Sequence, residues 1–181
     1  AYHDYRGYAG RIEGGVFKKN DEIMVLPSGF TSTIKSIDTF NGEVKEAFAP
    51  MSVTLNLEDD IDVSRGDMIV RKNNSPKQEQ NIDVMLCWLS ETPLKHKGKY
   101  ALKHTRKDVR CMVQNILYNV DINTLHRNEE DKNITTNDIA RISLRTTQPL
   151  FIDSYGNNRA TGSVILIDES TNNTVGAGMI I

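Results

Sequence analysis

The densest group of ionisable side chains in this sequence lies between residues 95 and 110. Seven basic residues and two histidines stand there against a single acid, Asp108. The group comprises Lys95, His96, Lys97, Lys99, Lys103, His104, Arg106, Lys107 and Arg110. Such a run can contact the phosphates of RNA or an acidic protein surface. It can equally be a solvated hairpin whose lysines keep a sheet edge from aggregating. Only Tyr100 could stack on bases, which is a thin platform for single-stranded RNA.

A second candidate is the cation in the turn formed by residues 157–162. The two adjacent asparagines tolerate positive φ and Gly162 precedes an apolar run, so the turn has a structural explanation. Arg159 is a lone cation in this turn and could anchor a carboxylate or a phosphate of a partner. The two interpretations are compatible.

No catalytic constellation is visible in the sequence. It contains no G-x-x-x-x-G-K-[ST] phosphate loop, no G-x-S-x-G elbow, no H-E-x-x-H pair and no C-x-x-C pair. The four histidines have no metal-like spacing with one another or with the two cysteines. Asp59, Asp60 and Asp62 lack the downstream glycine and glutamate of a calcium loop, so an acidic turn explains them better. We therefore predict no catalytic, metal-binding or cofactor-binding residue in this chain.

The composition is that of a soluble globular protein. Of the 181 residues, 38% are hydrophobic and 25% are charged, and the net charge is −2. No apolar run approaches the roughly 18 residues of a membrane helix, and no signal-peptide pattern opens the chain. The near-neutral charge argues against nucleic acid as a partner. Cys87 and Cys111 lie in apolar, strand-like runs, and we interpret them as buried free thiols of a cytoplasmic protein.

Short strands and tight turns fill the chain. No stretch between Tyr8 and Val70 has a helical period, and residues 136–140 could hold a single helical turn at most. Residues 53–57 alternate between apolar and polar, and Asn41-Gly42 is the strongest hairpin signal. The run 164–167 is apolar on both faces, which predicts a strand buried within a two-sided core. Residues 71–81 are polar apart from one proline, as in an interdomain linker. We predict an all-β protein of two consecutive antiparallel β-barrels, residues 1–75 and residues 76–181.

Four stretches of the sequence together match a known family: Tyr8–Gly15 with Val25–Gly29, Val120–Leu125, Gln148–Leu150 leading to Asn158–Ser163, and Val175–Ile180. They resemble the second and third domains of elongation-factor-Tu-type GTPases. They resemble in particular the large GTP-binding subunit of bacterial sulfate adenylyltransferase, of the CysN type. The glycine-rich first strand and the closing Val-Gly-Ala-Gly are shared with translation factors. The Leu-Pro-Ser-Gly, Asp-x-Asn-Thr-Leu and Asn-Arg-Ala-Thr-Gly elements favour the sulfate-activating family.

The resemblance implies a longer protein with an N-terminal GTPase domain, expected upstream of Ala1, that binds GTP and Mg. It also implies a small catalytic subunit as partner, in a heterodimer or a larger assembly. GTP hydrolysis would drive ATP and sulfate toward adenosine 5′-phosphosulfate and pyrophosphate in sulfate assimilation. The present chain would then be a docking and coupling module. Candidate contact residues toward the GTPase domain or the small subunit are Arg6, Lys103, His104, Arg106 and Arg159.

A translation factor is the alternative, because its barrels hold the acceptor end and T-stem of a charged tRNA. RNA binding of that kind weakens steeply with salt, since phosphate contacts release counterions. Residues 79–181 hold twelve basic and twelve acidic residues, and this balance mildly disfavours RNA.

Overall fold

The computed structural model describes residues 5–181, and residues 1–4 of the first predicted barrel lie outside this range. Every regular element in the described range is a β-strand, which confirms the all-β prediction. The chain divides into two compact units between Ser75 and Pro76. Within the described range, no helical segment has the length and apolar character needed to span a membrane.

The first unit surrounds one apolar core with short antiparallel strands. They are β1 (Tyr8–Arg11), β2 (Val16–Lys18), β3 (Glu22–Leu26), β4 (Thr31–Thr39), β5 (Gly42–Val44), β6 (Glu46–Phe48), β7 (Ser52–Leu57) and β8 (Met68–Arg71). Pairing gives the order β1-β7-β4-β3-β8, with β5 on β4 and a separate β2–β6 ribbon. Val53, Leu55 and Leu57 are buried on one side of β7, as their alternation predicts. Ile34 of β4, which pairs with β7, and Ile23 of β3 are fully buried in the same core.

The hairpin predicted at Asn41-Gly42 is confirmed. It joins β4 to β5 with Thr39 paired to Gly42. Gly42 has a φ of 108°, in the region that glycine enters at no steric cost. Phe40 lies at the tip of this hairpin and is fully exposed.

The predicted linker is shorter than its composition suggested. Strand β9 (Lys77–Trp88) already begins inside the polar stretch, so only residues 72–76 lie outside strands. Lys77, Gln78 and Glu79 pair with the end of another strand and are exposed. Exposed strand positions take polar residues, so polarity alone could not separate this strand end from a linker.

The second unit is a closed barrel. Besides β9 it contains β10 (Lys99–His104), β11 (Lys107–Val120), β12 (Arg127–Asn128), β13 (Ile139–Ile152), β14 (Ser163–Ile167) and β15 (Thr174–Ile180). The order β10-β14-β15-β9-β13-β11 is closed by pairing of β11 with β10, and β12 adds to β11 outside this ring. Strand β10 therefore has a partner on each side. The lysines of the basic run do not protect an open sheet edge.

Side chains from all six strands of the ring fill the interior. Trp88, Leu102 and Leu144 are among the fully buried residues of this core. Both cysteines are free, as predicted, but only Cys111 is buried and Cys87 is half-buried. Burial raises the pKa of the Cys111 thiol to about 12.

The prediction for residues 164–167 was wrong for one face of the strand. Val164 and Leu166 point into the barrel and are buried, whereas Ile165 is 38% exposed on the outside. Each strand of the ring gives one face to the interior and the other to the outside. A run that is apolar on both faces therefore places apolar side chains on the outer surface.

Candidate docking surface

Three of the predicted contact residues are brought together at one end of the second barrel. Lys103 is the penultimate residue of β10, and Arg106 lies in the two-residue turn that leads into β11. Lys103 forms an ion pair with Asp108 at 4.0 Å across this hairpin. Arg159 lies in the turn before β14, the strand that pairs with β10. Among the described residues, neither arginine has an ion-pair partner, so both are available to an outside carboxylate or phosphate.

His104 joins the two turns from inside the barrel. The residue is only 2% exposed, and its Nε2 donates a hydrogen bond to the carbonyl oxygen of Thr161 at 2.7 Å. Burial holds the pKa of His104 below its ordinary value, with nearby Lys107 adding to the shift and the Thr161 hydrogen bond opposing it. The ring is therefore neutral at pH 7 and does not present itself to a partner. It positions the turn that carries Arg159.

The turn itself is fixed by its own hydrogen bonds. The side-chain oxygen of Asn158 accepts from the backbone N–H of Ala160 at 3.0 Å, and Gly162 N–H donates to the Asn158 carbonyl at 2.8 Å. The Thr161 hydroxyl donates to Asp153 at 2.7 Å. With these partners the backbone of residues 158–162 has little freedom, and the exposed guanidinium of Arg159 extends from a rigid base. We call Lys103, Arg106, Lys107 and Arg159 the basic end.

An apolar patch begins beside the basic end on the outside of the barrel. Ile165 pairs with Lys103 on one side and with Ala177 on the other, and Met179 of β15 pairs with Met85 of β9. Ile165 and Met179 are 38% and 42% exposed, and Ala177 is also exposed. We call Met85, Ile165, Ala177 and Met179 the outer wall. Ile165 faces Ala177 and Met179 faces Met85 on neighbouring strands, while Ala177 and Met179 lie two residues apart on the same face of β15, so the four form one patch.

Charged residues border the outer wall on its far side. Arg141 pairs with Met85 in the sheet and forms an ion pair with Asp83 at 2.8 Å. Ser143 donates a second hydrogen bond to Asp83 at 2.7 Å. Burial pushes the pKa of Asp83 upward, but the hydrogen bonds from Ser143 and Arg141 outweigh it and the pKa lies below its ordinary value. An apolar centre with a charged rim is the usual composition of a protein–protein interface.

The remaining candidate, Arg6, belongs to the first unit and is already engaged there. Its guanidinium lies 2.6 Å from Asp62 and 3.4 Å from Asp60. It also stands 5.9 Å from the ring centroid of Tyr8. The hydrogen bond to Asp62 raises the pKa of Arg6, followed by smaller effects of Tyr8 and Asp60. Unlike Arg106 and Arg159, Arg6 would have to exchange these partners to bind another protein.

The described residues contain no group of three or more His, Cys, Asp or Glu side chains that could hold a metal ion. The cations of this surface were predicted from the sequence, whereas the outer wall was not. The signal was present in residues 164–167, whose second apolar face has no place inside a barrel. Met85 and Met179 carried a weaker signal, because each sits in a run of mixed apolar residues.

Comparison with known proteins follows the same division of the chain. Residues 8–70 match the family model "Elongation factor Tu domain 2". Residues 81–181 match the model "GTP-eEF1A C-terminal domain-like". The all-β fold and the two family models thus define a tandem pair of β-domains of the kind found in elongation-factor-type proteins. The chain belongs to the GTP-eEF1A C-terminal domain-like family.

Similar proteins confirm the resemblance that the motifs predicted, which is to the large subunit of sulfate adenylyltransferase. The chain is 46% identical over 181 residues to the bifunctional enzyme CysN/CysC of Mycobacterium tuberculosis, covering 99% of this chain and 30% of that protein. It is 44% identical over 178 residues to sulfate adenylyltransferase subunit 1 of Bacteroides fragilis, covering 98% and 37%. The chain thus spans about a third of the length of the curated relatives it matches. The crystal structure of Sup35 complexed with GDP shares the fold, with a TM-score of 0.85 at 20% identity over 97% of this chain and 45% of that one.

Proposed function

We propose that this chain is the docking and coupling region of a sulfate adenylyltransferase large subunit. The observation that carries the proposal is the 46% identity over 99% of the chain to the enzyme CysN/CysC. In the proposed protein, an N-terminal GTPase domain binds GTP and Mg. A small catalytic subunit forms adenosine 5′-phosphosulfate from ATP and sulfate. The free thiols of Cys87 and Cys111 suit the reducing cytoplasm in which we place the complex.

The role that we assign to the chain is contact rather than chemistry. The outer wall supplies an apolar centre, and the basic end supplies cations beside it. Lys103, Arg106 and Arg159 would steer and orient an acidic surface of the small subunit or of the GTPase domain. Hydrolysis of GTP would change the packing of such an interface, because packed interfaces switch between discrete arrangements. The second barrel would thereby transmit the nucleotide state to the catalytic subunit.

Charge reversal in the full-length large subunit tests this proposal. We expect the double variant Arg106→Glu with Arg159→Glu to bind the purified small subunit about tenfold more weakly, because like charges then face each other. GTP-stimulated sulfate activation should fall in parallel at limiting subunit concentrations. Arg65→Glu is the matched control, since Arg65 is an exposed arginine of the first unit. Unchanged binding and unchanged GTP stimulation in the double variant would contradict the proposed docking role.

Salt dependence measured on the same purified protein distinguishes the proposal from the translation-factor alternative. Co-purified tRNA whose affinity falls steeply between low and physiological salt would favour that alternative. Binding to the small subunit through the outer wall should change much less with salt, because apolar contacts release few ions. The variant Ile165→Asp with Met179→Asp separates the two contributions, since it removes the apolar centre and leaves every basic residue in place.

A further inference from the structure

The loop between β11 and β12 is built as a tight, hydrogen-bonded turn. Asp121 N–H donates to the His126 carbonyl at 3.0 Å, and Leu125 N–H donates to the Asp121 carbonyl at 2.7 Å. The Asp121 carboxylate accepts from the N–H groups of Asn123 at 2.8 Å and Thr124 at 3.3 Å. These four bonds fix the loop backbone. The side chains that it carries are therefore displayed in set directions.

Two aliphatic side chains are displayed at the tip of this loop. Ile122 is 62% exposed and Leu125 is 75% exposed. Leu125 also has a φ of 60°, in the left-handed region where a side chain with a Cβ is disfavoured. Asparagine or glycine would satisfy the same backbone at lower cost and without exposing apolar surface. The backbone conformation and the exposure of apolar surface therefore both disfavour leucine at this position. A residue that is unfavourable for the fold without a compensating contact indicates a functional role.

Neighbouring side chains brace the segments on both sides of the loop. The Lys132 ammonium donates to the carbonyls of Ile116 and Leu117 at 2.7 Å each, where β11 is bulged against β13. The Arg127 guanidinium lies over the ring of Tyr118 at 4.9 Å. A loop held in this way loses little conformational entropy when it binds. The free energy of its apolar contacts therefore contributes more fully to the affinity.

The charges beside the tip indicate what kind of partner fits. Glu129, Glu130 and Asp131 follow directly after β12 and are exposed, and none of the three forms an ion pair within the described part of the chain. The Asn128 side chain accepts from the N–H groups of Glu130 and Asp131 at 3.0 and 3.1 Å, which orders this segment next to the loop. A partner surface complementary to it combines an apolar pocket with lysine or arginine at the rim.

We propose that Ile122 and Leu125 insert into an apolar pocket of a protein partner, and that Glu129 and Glu130 face basic residues at the rim of that pocket. This contact is separate from the basic end and the outer wall. It rests on the proposed function for the identity of the partner, which we take to be the small catalytic subunit. The complex would then hold the second barrel by two surfaces of opposite charge.

The test uses the full-length large subunit and the purified small subunit of sulfate adenylyltransferase. We expect Leu125→Asn to bind about tenfold more weakly, as for a central apolar contact, while its thermal stability stays equal or rises. The matched control is Phe40→Ser, which removes a fully exposed apolar side chain from a hairpin tip of the first unit. A second variant, Glu129→Lys with Glu130→Lys, should weaken binding most at low salt.

Each outcome separates this inference from the proposed function. Binding by the unaltered protein together with unchanged affinity in Leu125→Asn would overturn the loop contact and leave the proposed function standing. A loss of thermal stability in Leu125→Asn would show that the fold requires this leucine, and would also overturn the inference. Unchanged binding by the variant with Glu129→Lys and Glu130→Lys would contradict the proposed contact with basic residues at the rim of the pocket. Failure of the unaltered protein to bind the small subunit at all would overturn both proposals.

Discussion

Replacing Gly162 by alanine should destabilise the second barrel strongly. A Cβ at this position would lie 2.4 Å from Cα and 2.5 Å from N of Tyr155, and 2.7 Å from the carbonyl oxygen of Asn158. Carbon atoms at van der Waals contact are about 3.5 Å apart, so the backbone would have to move by roughly 1 Å. All three obstructing atoms belong to the backbone and no side-chain rotation can relieve them.

Three hydrogen bonds resist this movement. Gly162 N–H donates to Asn158 at 2.8 Å, Ile180 N–H donates to Gly162 at 2.8 Å, and Tyr155 N–H donates to Ile180 at 2.9 Å. Overpacking of this kind costs about 1–3 kcal/mol, and the loss of one of these bonds adds about 1 kcal/mol. We therefore expect Gly162→Ala to lower the free energy of unfolding by about 2–4 kcal/mol.

Urea unfolding followed by tryptophan fluorescence reports on the stability of the second barrel, where Gly162 lies. Trp88 is the only tryptophan of the chain and is buried in the second barrel, beside Tyr100. With a urea dependence of about 1.5 kcal/mol per molar, the midpoint should fall by about 1–3 M. Gly156→Ala is the matched control, because no atom beyond its two chain neighbours lies within 4 Å of the added Cβ. The free energy of unfolding of this variant should change by less than about 0.5 kcal/mol. If Gly162→Ala unfolds at the same urea concentration as Gly156→Ala, the reasoning from backbone contact is refuted.

Three further predictions use the same fluorescence assay or simple labelling. Burial lowers the pKa of His104 in the folded protein below its ordinary 6.5, so the unfolded state binds the proton more readily and the free energy of unfolding should fall as pH decreases from 7.5 through 6.5 to 5.5. His104→Gln should lose most of this pH dependence, and an unchanged slope would contradict the assignment. A thiol reagent at pH 8 should label Cys111 only when the protein unfolds, because burial raises the pKa of this thiol to about 12. The labelling that follows unfolding should therefore be absent from Cys111→Ser. Ile165→Thr should change stability by less than about 0.5 kcal/mol, whereas Leu166→Ala should cost about 2–5 kcal/mol, and similar costs would mean that the two faces of β14 are not distinct.

Local patterns predicted the strands well, because alternation is a property of neighbouring residues. The buried positions of β7 and the hairpin between β4 and β5 follow directly from residues 53–57 and from Asn41-Gly42. Pairing between distant strands has no such local signal. The pairing of β10 with β14, which brings Arg159 near Lys103, depends on closure of the whole ring and could not be deduced from either segment.

The basic neighbours of His104 in the sequence led to the wrong interpretation of its exposure. Its surroundings are basic and polar, and they suggested a solvated residue on a contact surface. The alternation of Tyr100 and Leu102, however, continues to position 104, and all three side chains are buried on the same face. The period of two was therefore the better guide than the charge of the run. The hydrogen bond to Thr161 compensates for burying the ring.

Closure of the ring also decides which apolar residues need an explanation beyond folding. A barrel interior receives one face of each strand, and Val164 and Leu166 supply that face in β14. Ile165 and Met179 on the outside, and Leu125 at the loop tip, contribute nothing to this interior and expose apolar surface to water. For Leu125 the backbone conformation adds a second cost, because φ is 60°. Binding to a partner is the reason that we propose for an apolar side chain at these three positions.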